Sequence, residues 1–240
     1  MSAVLDVAQE DGVWTFTLSR PETRNALSAE LVERLSEGIA RAHAGAARVL
    51  VFRGEGKNFS AGFDFSGIES ESEGDLLLRF VRIEEVLQII ASSPCTTVGL
   101  AHGRNFGAGV DLLAACRYRV ASADATFRMP GLRFGLMLGT RRFTAIVGAA
   151  QARTILESSG TFDAPGALEM GFVHKIVERD GWPEAVGAAG ARASVLDDVT
   201  RASLYRVLSQ ADDNADLADL VRSAARPGLK ARIAAYLGAN

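Results

Sequence analysis

Val13-Trp14-Thr15-Phe16-Thr17-Leu18, the stretch from Leu27 to Ile39, and Val49-Leu50-Val51-Phe52 decide the fold between them. The first run alternates large apolar and polar side chains, the period of a half-buried strand. A polar turn with a proline, Ser19 to Asn25, separates it from Leu27, Leu31, Leu35 and Ile39, which recur at four-residue steps with Val32 beside them. That spacing predicts an amphipathic helix, with Ser28 as its N-cap and Glu30 where the helix dipole favours negative charge. The third run is short, continuous and rich in valine, as suits a strand buried on both faces. Strand, helix, strand in that order predicts a parallel sheet with crossover helices.

Outward from there, a glycine-rich passage runs from Gly54 to Gly67, and the acidic run Glu69, Glu71, Glu73, Asp75 reads as a solvated loop. Leu76 to Ile90 reads as a long helix, with Leu77, Phe80, Val81, Glu84 and Leu87 marking its turns; Pro94 ends it, and Thr97 to Ala101 is the next strand. Gly103, Gly107 and Gly109 lead into a helical Val110 to Ala115, and Arg119-Val120-Ala121 is another short strand. Helical spacing dominates from residue 140 to Leu156 and again from Glu184. The expected organisation is an α/β core over residues 1–185 and a helical C-terminal region over 186–240, packed on the core or on a neighbouring subunit.

With 240 residues, 48% of them hydrophobic, the chain can bury a substantial core, and a formal charge of −3 with interspersed signs gives no reason to expect nucleic acid. Cys95 and Cys116 are the only cysteines, too few for a disulfide framework. Met1 to Glu10 lacks the basic and apolar segments of a signal peptide, and no apolar run has the length a membrane helix needs. A cytoplasmic protein is expected. No His/Cys/Asp spacing suggests a metal, and Ser60 has no histidine partner in a nucleophile motif.

Both glycine clusters sit where a strand hands over to a helix, at Phe59-Ser60-Ala61-Gly62-Phe63-Asp64 and at His102-Gly103 through Gly107-Ala108-Gly109-Val110-Asp111. Unpaired amides at such junctions can hold an anion or a developing oxyanion. The second cluster is not a dinucleotide fingerprint, and there is no phosphate-loop motif. With their neighbours these segments resemble the enoyl-CoA hydratase/isomerase (crotonase) family: Arg20-Pro21 to Asn25-Ala26-Leu27 is similar to its RP-x-x-x-NAL segment, Phe59 to Asp64 to its F-x-AG-x-D loop, and Gly103 to Leu112 to its second glycine loop. Gly160 to Ala164 with Ala167 to Val173 resembles a later family segment, so the likeness is ordered from about Val13 to Val177.

The resemblance implies a crotonase-like spiral of ββα units with a helical C-terminal trimerisation region, a homotrimer or homohexamer, and an acyl-CoA substrate whose coenzyme A is the only cofactor involved. It assigns the thioester oxygen to the amides of Phe63 and Ala108, Ala108 standing where glycine is usual and tolerable there at negative φ. Phe63, Asp64, Phe65 and Ser66 would line the CoA channel, Ala26 and Ala61 would lie near the adenine, and Arg24 and Lys57 would meet phosphates or stand as surface charges. His102 is assigned to packing, and His43 and His174 offer no chemistry.

The family's hydratases position water with two carboxylates. The first maps to Asp111, in a Gly-Val-Asp-Leu context that resembles the dienoyl-CoA isomerase branch. The second would follow Pro130, where this chain has Gly131, and no carboxylate lies between Asp124 and Glu157. Glycine cannot transfer a proton, so isomerase or hydratase-like chemistry on one carboxylate is expected. The alternatives are an acyl-CoA-binding subunit with little turnover, or a decarboxylase or thioester hydrolase on the same fold. Asp111 would be a base of raised pKa or a helix cap. Arg128, Arg133, Arg141 and Arg142 flank the vacated position, to read a carboxylate on the acyl group or to serve as surface and subunit contacts.

Overall fold

The computed structural model describes residues 3–209 and 212–239. Met1 and Ser2, part of the stretch read for a leader, and residues 210, 211 and 240 of the C-terminal region lie outside the described residues. The elements in chain order are β1 (Leu5–Glu10), β2 (Val13–Leu18), α1 (Ala29–Ala44), β3 (Val49–Gly54), α2 (Glu73–Ala91), β4 (Thr96–Ala101), β5 (Arg104–Phe106), α3 (Ala108–Ala115), β6 (Tyr118–Ala121), β7 (Thr126–Arg128), α4 (Thr140–Val147) and α5 (Ala149–Ser158). They continue with β8 (Thr161–Asp163), α6 (Ala164–Glu169), β9 (Lys175–Ile176), α7 (Trp182–Ala193), α8 (Asp198–Leu208), α9 (Asp213–Ala224) and α10 (Leu229–Gly238).

The main sheet has six strands in the order β1-β2-β3-β4-β6-β9, parallel from β2 onward. The strand–helix–strand reading therefore holds. Ser28 is the N-cap of α1, its hydroxyl accepting from Leu31 N at 3.2 Å. On β3, Leu50 and Phe52 enter the large core with α1 and α2, while Val49 and Val51 face Trp182, Ala185 and Ala189 of α7. Alternate residues thus bury both faces, as a central parallel strand requires. The expected border at residue 185 falls inside α7, which packs on β3 and β4 as part of the core.

β1 is an added strand, paired antiparallel with β2 through the two-residue turn Asp11-Gly12. Both turn residues have positive φ, 47° and 79°, the geometry of a type I′ hairpin. A second, three-stranded sheet, β5-β7-β8, stands apart from the first. Its apolar side joins Phe127, Phe143, Phe162 and Phe172, whose ring centroids are 5.1–6.0 Å apart. The acidic run is not one solvated loop: Glu69 lies in a short 3-10 turn, Glu71 is half-buried against Arg79, and Glu73 and Asp75 open α2, where Ser72 and Asp75 exchange side-chain and backbone hydrogen bonds as a capping box. No helix among the described residues is long and apolar enough to cross a membrane.

Candidate active site

The loop after β3 is held by residues that precede α1. Asn25 is fully buried; its Nδ2 donates to Glu55 O and Asn58 O at 2.9 Å, and its Oδ1 accepts from Arg20 N at 2.9 Å. Arg20 donates through Nη1 to Ala26 O and to Asp64 Oδ2, at 2.6 and 2.8 Å. Ser60 donates to Asn25 O at 2.8 Å and is thereby a structural hydroxyl. The Arg20–Leu27 segment is therefore a brace for residues 58–64. Burial alone would raise the pKa of Asp64, but hydrogen bonds from Ser66 and the Arg20 guanidinium outweigh it and hold the carboxyl below its ordinary value.

The second loop lies directly against the first. Gly62 has φ +81°, and a Cβ built on it would stand 2.3 Å from Phe106 O and 3.1 Å from Ala108 N. Phe63, the next residue, thus follows the point where the two loops touch. Neither its amide nor that of Ala108 takes part in the bonds that pin the neighbouring residues: Leu27 donates to Gly62 O, Asp64 to Leu27 O, and Val110 and Asp111 to Gly107 O. Ala108 opens α3 behind the N-cap Gly107 and is not among the residues of positive φ, so alanine fits there without strain.

Phe63 and Ala108 both line a cavity of about 820 Å³, large enough for a sizeable ligand. Arg24, Ala26, Ala61, Phe63, Asp64, Phe65, Ser66, Ala108, Asp111 and Gly131 all line it; Lys57, an exposed residue, does not. Lys57 stands as a surface charge, the second of the two readings given for it. Beyond the amides the wall is apolar, with Phe80, Met129, Phe134, Leu136 and Leu138, and the roof is Tyr236 and Leu237 of α10. Two long cations bolt α10 down. Arg232 donates to Phe134 O, Arg226 O, Pro227 O and Ser223 O, and Lys230 Nζ to Glu69 O and Glu71 O.

Of the carboxylates that line the cavity, Glu22 is exposed and Asp64 is paired with Arg20. Asp111, on the first turn of α3, is buried, and its Oδ1 has no hydrogen-bond partner. It does not cap the helix, whose N-cap is Gly107 without a side-chain cap. Burial drives its pKa well above the usual carboxylate range; Arg142 opposes this and Glu84 adds to it. Gly139, at φ +61°, presses on the same carboxyl: a Cβ there would lie 2.0 Å from Oδ1.

A carboxyl whose pKa is higher folded than unfolded binds its proton more tightly in the folded state. Its contribution to stability is therefore full below the unfolded value and is lost as pH rises towards the folded one. Asp111→Asn removes that loss. The variant is expected to melt above wild type at neutral pH and to converge with it in acid, as measured by Tm against pH.

The four arginines around Gly131 separate. Arg142 is buried against Glu84 of α2, Arg141 holds Asp216 and Asp219 of α9, and Arg133 is exposed. Arg128 alone lines the cavity, with Nε donating to Ser159 O at 3.0 Å. The histidines are structural: His43 bonds Ser93 Oγ, His102 bonds Gly56 O beside Trp182, and His174 Nδ1 accepts from Arg119 N. Burial and the charges of Arg119 and Arg192 lower His174 to about 4, which suits an acceptor. Among the described residues no group of three His, Cys, Asp or Glu could hold a metal ion.

Two braced loops and the buried Asp111 meet on one cavity, and residues 8–213 match the family model for enoyl-CoA hydratase/isomerase; the chain belongs to that family. It is 36% identical over 176 residues to a Mycobacterium tuberculosis protein named probable enoyl-CoA hydratase echA6, covering 72% of this chain and 70% of that one. A crystallised candidate enoyl-CoA hydratase/isomerase from Bordetella parapertussis is 58% identical, with a TM-score of 0.97 over 98% of this chain and 99% of that one. The enoyl-CoA hydratase of Bacillus halodurans, 21% identical, shares the fold at a TM-score of 0.85 over 97% of this chain and 100% of its own. The α/β crotonase-type fold expected from the motifs is the one observed.

Proposed function

We propose that the chain acts on an acyl-CoA thioester through an enolate whose oxygen accepts from the amides of Phe63 and Ala108, with Asp111 moving a proton between carbons of the acyl group. What supports this reading is that Phe63, Ala108 and the buried Asp111, whose Oδ1 has no hydrogen-bond partner, line a single cavity, with Gly131 where a second carboxylate would be needed to split water. A raised pKa makes Asp111 a stronger base towards a carbon acid than an ordinary aspartate would be. One group that takes a proton from one carbon and returns it to another performs an isomerisation, so an enoyl-CoA isomerase or a hydratase-like lyase with one carboxylate is the assignment. Phe63 to Ser66 would follow the CoA chain, with Ala26 and Ala61 by the adenine and Arg24 by a phosphate. The trimer or pair of trimers implied by the family would cover the exposed apolar residues of α8, Val199, Leu204, Val207 and Leu208.

The test is turnover of a panel of enoyl-, dienoyl- and carboxyacyl-CoA thioesters by wild type and Asp111→Asn, with products read by mass spectrometry. Isomerisation leaves the mass unchanged, and hydration adds one water. The variant is expected to lose about 10²–10⁴ in kcat, the usual share of a general acid–base group, while calorimetry shows unchanged CoA affinity. Equal rates in both proteins remove Asp111 from the chemistry. Tight CoA binding without turnover of any thioester would instead support a binding subunit, the reading that Gly131 favours.

A further inference from the structure

Behind Asp111 lies a second group of buried charges that the proposed chemistry does not use. Glu84 of α2, Arg142 of α4 and Asp216 of α9 are each less than a tenth exposed. Arg142 donates through Nη1 to Glu84 Oε2 at 3.0 Å and through Nη2 to Glu84 Oε1, and that second nitrogen also lies 3.3 Å from Asp216 Oδ2. Gln88 adds a bond to Glu84 Oε1 at 2.9 Å, and Arg141 takes the other oxygen of Asp216 at 2.9 Å.

The cluster adjoins the site through one turn of helix. Gly139, the N-cap of α4, is the residue pressed against Asp111, and Arg142 stands three residues further on. Both α2 and α4 pack on α3, which carries Asp111. As a source of stability such an arrangement is poor, because desolvating three ions costs about as much as their attraction returns, and apolar residues of the same volume would serve as well. It is well suited to setting a field. A lone guanidinium at this place would draw Asp111 into an ion pair, leaving it ionised and a weak base.

We infer that Glu84 and Asp216 are positioning residues for Asp111, acting through Arg142: they hold the guanidinium and balance its charge, so that the carboxyl on the cavity meets a neutralised cluster instead of a bare cation. The charges that face Asp111 from its surroundings are Glu84 on α2 and Arg142 on α4, with Asp213 and Asp216 of α9 beyond Arg142 and Arg128 across the cavity. β4 carries no charged residue, and Arg104 of β5 is exposed. The catalytic consequence rests on the reading of Asp111 as the proton-transferring group; the charge coupling is measurable without any substrate.

The experiment follows the infrared band of the protonated Asp111 carboxyl, assigned by its loss in Asp111→Asn, through a pH titration of wild type, Glu84→Gln and Asp216→Asn. Glu84→Gln keeps the shape of the side chain and removes its charge, so the midpoint is expected to move to lower pH. Asp216→Asn is expected to move it the same way by less, and serves alone if Glu84→Gln does not fold. With any thioester that is turned over, the alkaline rise of kcat/KM should move to lower pH by the same interval. A purely structural role would lower the Tm of both variants and leave the midpoint where it is, and an unmoved midpoint overturns the inference. If the midpoint moves while Asp111→Asn still turns over at the wild-type rate, the coupling stands and the catalytic role of Asp111 falls. If the midpoint stays while Asp111→Asn is inactive, the reverse holds.

Discussion

Gly62→Ala is expected to lower kcat/KM by at least about 10²–10³, the effect of removing one oxyanion donor. The added methyl would stand 2.3 Å from Phe106 O, at a φ of +81° that alanine resists. The atoms in its way are backbone, which cannot rotate aside, so one loop must move. Whichever moves carries an amide with it, Phe63 on one side or Ala108 on the other, and a displacement of a few tenths of an ångström would part the two donors that the proposed function sets on one oxygen. Steady-state kinetics on whichever thioester proves to be a substrate measure the effect, with circular dichroism to show that the variant is folded. A folded Gly62→Ala enzyme within about threefold of wild type would mean that the amides are not the oxyanion donors.

The largest loss of stability is expected at Arg142. Its replacement by alanine leaves Glu84, almost wholly buried, facing Asp216 with no cation between them. Breaking a buried pair by removing one partner costs about 3–5 kcal/mol, because the remaining charge has neither water nor a counter-ion. The double replacement Arg142→Met with Glu84→Leu removes both charges and fills the volume, and it is expected to recover most of that loss. Denaturant unfolding of the two variants at equal protein concentration checks the pair. If both are equally unstable, packing and not charge explains the site.

The elements that fix the fold were open to reading because their signals are local. Leu31, Leu35 and Ile39 declare α1 by spacing, with Leu27 falling just outside it, and Ser28 declares its start by chemistry. Strands β5, β7 and β8 are three residues each, too short for any period to show. β1 escaped for another reason: Leu5–Glu10 has few large apolar side chains, and its signal is the Asp11-Gly12 turn after it. Motif and position also pointed to the two glycine loops and Asp111, and the structure places Phe63, Ala108 and Asp111 on one cavity. Glu84 was not legible in this way, since it sits among Phe80, Ile83 and Leu87 as though it were one more marker of the helix turns. A charge inside an apolar stripe was the available clue, but its partner Arg142 is 58 residues away, and only tertiary structure brings them together. The same distance effect separates the four arginines around Gly131: Arg141 and Arg142 are held by carboxylates of α2 and α9, Arg128 lines the cavity and Arg133 is exposed.

The roof of the cavity comes from α10, a segment that shares no residue with the loops carrying the amides or with the helix carrying Asp111. Substitutions at Tyr236 or Leu237 can therefore reshape the cavity while the two loops and Asp111 stay in place. A lineage built on this plan can explore new guests by editing this one helix, and an engineer seeking to change the fit of the cavity would begin a library there.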